Sequence, residues 1–112
     1  MTKLLATPQV RRSITDIIFV TAEFYGVSPS EILGPSRSKT LVEARAVAVA
    51  LCRDLTPSSY PELGAAFGRD HTTIIYQVKS IVGRMMEDEP LARSIAICRE
   101  RCLVTIRARR MV

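Results

Sequence analysis

Phe67 to Ile81 reads FGRDHTTIIYQVKSI and sets Arg69, Asp70, the chain's single histidine His71, Thr72 and Thr73 side by side. Two chemistries could use such a cluster. A carboxylate and an imidazole can form an acid–base pair, but adjacent residues at a helix start point in different directions, and the sequence places no Ser or Cys nucleophile beside them. Hydroxyls, a ring and threonine methyls are equally the groups that meet base edges in the major groove of DNA. The free N–H groups of a helix start can also hold a phosphate. The second reading accounts for more of the cluster, so no enzymatic activity is expected.

The other candidate cluster is Cys98 and Cys102, which would share one face of a helix. With one His and a third cysteine, Cys52, far away in sequence, no four-ligand zinc set can be assembled, and the residues read as small buried side chains. No metal and no cofactor are expected. An odd number of cysteines without a secretory leader points to free thiols in a reducing, cytoplasmic setting.

The elements that must position the cluster read as helices throughout. Ile14, Ile17, Ile18, Thr21 and Tyr25 recur at helical spacing up to Gly26, after a lead-in, residues 1–9, expected to be flexible. SPSE (Ser28–Glu31) is a capping box with Pro at the first helical position, opening a short helix closed by Gly34. Pro35–Thr40, PSRSKT, is a basic loop. Leu41–Leu55 is apolar almost all round, apart from Glu43, Arg45, Arg53 and Asp54, and predicts a buried central helix. Ser59–Glu62 is a second capping box, starting a short helix to Phe67.

After the turn GRD, Asp70 stands at the N-cap of a helix with Ile74, Ile75, Val78, Ile81 and Val82 inward. Thr72, Thr73, Tyr76, Gln77, Lys79 and Ser80 are then mostly outward. Pro90 opens a last helix, about 90–110, with the stripe Leu91, Ile95, Cys98, Cys102 and Ile106. Two short helices joined by a Gly-containing turn, about 59–83, form a helix-turn-helix. The expected fold is all-α, about six helices around that motif, with residues 10–112 as a single domain.

Composition agrees with this assignment. At 112 residues the chain supports one core, and 47% hydrophobic with 24% charged residues is ordinary for a folded domain. The net charge of +5 suits a polyanion, either nucleic acid or an anionic membrane surface. Ala44–Cys52 is too short to span a bilayer and is interrupted by Arg45, so no membrane partner is expected.

GRDHTTIIYQVKSI resembles the signature of the DNA-binding C-terminal domain of the DnaA family of bacterial replication initiators, in which Arg-Asp-His-Thr-Thr opens the recognition helix. The likeness continues upstream through AVALCRDLTPSSYPELGAAF and EFYGVSPSEILGPSRSK, and covers roughly Val10 to Arg99. The resemblance implies double-stranded DNA as the partner. Arg69, Asp70, His71, Thr72, Thr73 and Gln77 would lie at the bases or in the groove, and Arg37 would reach the adjacent minor groove. Ser38, Lys39, Arg45, Arg53 and Lys79 would sit at phosphates. Capping is the expected structural task of Asp70, and contact with a cytosine amino group a possible second one.

The sequence departs from the family pattern at three positions. A single glycine, Gly68, precedes Arg69 where many members carry two. Gln77 replaces a small alanine and would favour an adenine edge, and Ala46 replaces a glutamine after Arg45. The glycines form no G-x-x-x-x-G-K-[ST] loop, so neither nucleotide binding nor ATP-driven oligomerisation is expected, and the chain resembles a stand-alone DNA-reading domain. The implied role is binding at DnaA-box-like sites in the bacterial nucleoid, modulating replication initiation or transcription. The alternative is a helical interaction module, dimerising through the last helix and its basic end RARRMV.

Overall fold

In the computed structural model, which describes residues 7–111, the helix α3 (Lys39–Leu55) lies at the centre. Its position follows from its composition, since Leu41, Ala44, Ala46, Val47, Ala48, Val49, Leu51 and Cys52 leave it no wide polar face, and all eight are buried. Around it stand α1 (Pro8–Tyr25), α2 (Pro29–Leu33), α4 (Tyr60–Phe67), α5 (His71–Met85) and α6 (Glu89–Arg110). The described residues contain six helices and no strand. α3 packs on α1 on one side and on α5 on the other, while α6 closes over α1.

The expected punctuation is observed. Gly26 ends α1 in the left-handed conformation (φ 70°), where a side chain would be strained. Both capping boxes form reciprocally. Ser28 Oγ accepts from the Glu31 N–H (3.1 Å) while the Ser28 N–H donates to Glu31 Oε1 (2.9 Å). Ser59 and Glu62 do the same at 3.2 and 2.7 Å. Both helices are too short to hold themselves in water, so their caps and buried faces must do it.

Two expectations are corrected. Pro8 and Gln9, expected within a flexible lead-in of residues 1–9, already belong to α1 and Thr7 caps it, accepting from the Val10 N–H at 3.2 Å; residues 1–6 lie outside the described residues. Val82, assigned to the inner face of α5, is 48% exposed, because the facing elements cover only a narrow stripe centred on Ile74 and Ile81.

The stripe of α6 goes where its spacing directs it. Leu91, Ile95, Cys98, Cys102 and Ile106 are all buried against the chain's own core, so this stripe is not available to a second copy. Cys52, Cys98 and Cys102 are free, buried thiols, and burial pushes the Cys52 thiol up. Among the described residues, no group of three or more ligand-type side chains could hold a metal. No helix there is long and apolar enough to cross a membrane.

Candidate nucleic-acid interface

α4 and α5 are joined by Gly68, Arg69 and Asp70, and two glycines allow this turn. Gly68 is left-handed (φ 65°) and caps α4. Gly64, one turn earlier, lets the chain pass directly over the helix, since a Cβ there would lie 2.6 Å from the carbonyl oxygen of Arg69 and 3.3 Å from the His71 nitrogen. Leu63, Phe67, Ile74 and Ile81 seal the angle between the helices, and full burial of side chains of this size contributes about 1.5–3 kcal/mol each. The single glycine before Arg69 is therefore sufficient to close the turn.

The first turn of α5 projects into solvent. His71, Thr72 and Thr73 are exposed, and no hydrogen bond among the described residues engages the two threonine hydroxyls. Asp70 has the extended backbone of an N-cap, but its side chain makes no capping hydrogen bond, which corrects the expected task of this residue. Its carboxylate lies 3.6 Å from His71 Nδ1, and both side chains are more than half exposed. Among the described residues, the N–H groups at the start of α5 thus have no side-chain partner, and the helix presents its positive end to solvent.

The basic residues divide into two sets. Arg37, Lys39 and Lys79 are exposed and form no ion pair among the described residues. Ser38 caps α3, its Oγ accepting from the Leu41 N–H at 3.3 Å. Arg53 donates to the Ser58 carbonyl (2.8 Å) and lies over the Tyr60 ring with 4.0 Å to its centroid, an exposed cation held in one direction.

Arg45 and Arg69 behave differently. Arg45, expected at a phosphate, is only 4% exposed. Its guanidinium donates to the carbonyls of Ile32 (2.6 Å), Glu31 (3.2 Å), Gly34 (2.9 Å) and Ser36 (3.1 Å). Those carbonyls belong to the end of a one-turn helix and the loop after it, and the five-donor fork of a guanidinium reaches all four. Arg69, expected in the groove, is part-buried and donates to the carbonyls of Phe67 (2.8 Å) and Gly34 (2.7 Å). Burial lowers the pKa of both arginines, and for Arg45 the neighbouring Arg69 charge lowers it further. In this geometry four of the five Arg45 donors and two of the five Arg69 donors are engaged within the protein.

Between the 34–38 loop and α5 runs an open cleft of about 750 Å³, bordered by Arg37, Val42, Arg69, Thr73, Tyr76 and Gln77. Tyr76 is 72% exposed at its edge. Gln77 is not on the outer face as its position in the helix suggested. It is part-buried at the edge of the cleft, with its Oε1 turned away from solvent and without a hydrogen-bond partner among the described residues.

Sequence reasoning missed one network behind this face. The Tyr25 hydroxyl donates to Glu43 Oε2 (2.9 Å), and Arg84 donates to Glu43 Oε1 (3.1 Å), tying α1, α3 and α5 together. Burial, and then the bond to Glu43, pushes the Tyr25 hydroxyl far above its usual range. Glu43, an acid within an apolar helix, was the available signal.

Comparison with known proteins follows the same geometry. The model of a family described as the bacterial dnaA protein helix-turn-helix matches residues 14–81. The chromosomal replication initiator protein DnaA of Mycobacteroides abscessus is 41% identical over 78 residues, covering 70% of this chain and 16% of that protein. The crystal structure of a DNA replication initiation factor superposes with a TM-score of 0.79 at 28% identity, over 88% of this chain and 30% of the other. The chain thus spans a small part of the length of the proteins it matches.

Proposed function

From the premise that this chain belongs to the bacterial dnaA protein helix-turn-helix family, we propose that it binds double-stranded DNA at short DnaA-box-like sites and thereby modulates replication initiation. The residues described here are a DNA-binding unit of that family and not a catalytic one. The observation that carries the finer reading is the first turn of α5. His71, Thr72 and Thr73 stand exposed on a helix packed against α3 and α4, beside a helix start that no side chain among the described residues caps.

In this reading α5 enters the major groove with that turn foremost. The threonines and the imidazole face base edges, and Asp70, freed from capping, accepts from a cytosine amino group. Arg37 reaches the neighbouring minor groove, whose narrow, negative stretches attract a guanidinium. Lys39, Arg53 and Lys79, with the Ser38 hydroxyl as a donor, meet phosphates, and the open N–H groups of α5 take another. Short side chains at the tip require close docking, so the base contacts form only where the edges match.

Selection from random duplexes tests this directly. A motif should be enriched, and affinity for it should fall steeply with salt. Lys79→Ala should weaken binding to every duplex alike and reduce the salt slope by about one. Equal affinity for the selected and scrambled duplexes would refute sequence reading. The alternative, an interaction module with little DNA binding, is favoured instead if duplex binding is absent and sedimentation shows a dimer.

A further inference from the structure

The DNA contacts proposed above come from two separate elements, Arg37 from the loop after α2 and the rest chiefly from α5. Pro35, Ser36, Arg37 and Ser38 are all exposed, so no apolar burial fixes the loop. Its position depends on polar contacts. Among the described residues, the single hydrogen bond from the helix-turn-helix to this loop runs from Arg69 Nη2 to the Gly34 carbonyl, at 2.7 Å. The same oxygen accepts from Arg45 Nη2 at 2.9 Å, and Arg45 also holds the Ser36 carbonyl at 3.1 Å.

A carbonyl oxygen has two lone pairs, and here each receives a guanidinium, one from the helix-turn-helix turn and one from α3. No carboxylate offsets the two cations, since neither forms an ion pair among the described residues. The repulsion between them is opposed by carbonyl dipoles alone, an arrangement that holds only while the loop stays where it is. We infer that Arg45 and Arg69 are positioning residues which, by sharing the Gly34 carbonyl, set the distance between Arg37 and the first turn of α5. The two groove contacts then form together on one preorganised surface, and the cost of ordering the loop is met before DNA arrives. This inference rests on the proposed DNA reading of Arg37 and α5.

The obvious variant, Arg45→Gln, removes four bonds inside the fold and risks unfolding it. Arg69→Gln removes the shared bond from the exposed end and is the variant to use. In the free protein, ¹⁵N relaxation should show residues 36–38 loosening towards the flexible range, with order parameters below about 0.6, while α1 and α6 stay rigid. On the selected duplex, Arg37→Ala should lower affinity about tenfold in the unmutated chain but less than about threefold in the Arg69→Gln background, a coupling expected of residues in one network.

Thr72→Ala should lose the same factor in both backgrounds, and Arg69→Gln should leave the salt slope unchanged. Unchanged loop order, equal Arg37→Ala losses in both backgrounds, or a slope reduced by about one would each overturn the inference, the last by making Arg69 a phosphate contact. Failure of the unmutated chain to bind any duplex would instead overturn the DNA reading, with the relaxation experiment still deciding the positioning role of Arg69.

Discussion

The two sides of the central helix set arginines against different partners. On the α6 side, three arginines pair with acids, while Arg101, Arg107 and Arg110 form no ion pair among the described residues. Arg109 grips Asp16 through two bonds of 2.6 and 2.8 Å, Arg99 meets Asp54 at 2.7 Å, and Arg93 meets Glu89 at 3.2 Å. On the side of α5, Arg37, Lys39 and Lys79 have no acidic partner among the described residues, and Arg45 and Arg69 bond to carbonyls. Arg84 on α5 pairs with Glu43, so both sides carry paired and unpaired cations, and what sets the α5 side apart is that Arg45 and Arg69 are spent on backbone carbonyls. A net charge of +5 says little about a binding surface until the paired arginines are set aside.

Arg45 sits on the basic side without belonging to its surface, and it makes the sharpest test. Arg45→Ala should strip the Ile32 and Ser36 carbonyls of their guanidinium donor, leave a void at a buried position and destabilise the fold by about 3 kcal/mol or more, read as a large drop in melting temperature. An unchanged melting temperature with a smaller salt slope would return Arg45 to the exposed phosphate set and blur the contrast.

Next in size are the residues at the tip of α5. His71→Ala and Thr72→Ala should each cost about 1–3 kcal/mol on the selected duplex and leave binding to scrambled duplex nearly intact. Melting temperatures should barely move, because both side chains are exposed. If stability falls and both duplexes lose affinity equally, these residues are structural.

Across the molecule the pattern should invert. Asp16→Ala removes the buried partner of a half-exposed arginine and should lower stability by about 1 kcal/mol, since Arg109 can turn to water while the bidentate geometry is lost. Duplex affinity should stay within twofold or rise slightly, by about the effect of one added distant charge. A loss of affinity would place the α6 side in the interface. The smallest effect is expected from Asp70→Ala. Without a capping bond to lose, its stability should change by no more than about 0.5 kcal/mol, against the roughly 1 kcal/mol of an ordinary N-cap. A full capping loss in a chemical denaturation series would show that Asp70 caps α5 in solution.

Much of this was legible in the sequence for local reasons. Capping boxes at Ser28 and Ser59, glycines at 26 and 68, and the apolar spacing of α1, α5 and α6 act within one or two turns of the chain, where residue order equals spatial order. The five residues from Arg69 to Thr73 likewise announced the helix-turn-helix, because their types and their place after a tight turn are properties of the chain itself.

What the sequence could not decide is where a long side chain ends. Arg37 and Arg45 stand only eight positions apart in the chain. One is in solvent and the other is buried, because only the folded backbone gathers the carbonyls of Glu31, Ile32, Gly34 and Ser36 around the second. Arg69 is turned to the same carbonyl 35 residues away, and Gln77 is drawn under the cleft instead of outward, for the same reason. Helices and turns follow from neighbours along the chain, whereas the direction of a flexible charged or amide group follows from acceptors, cavities and countercharges that tertiary packing alone brings within reach.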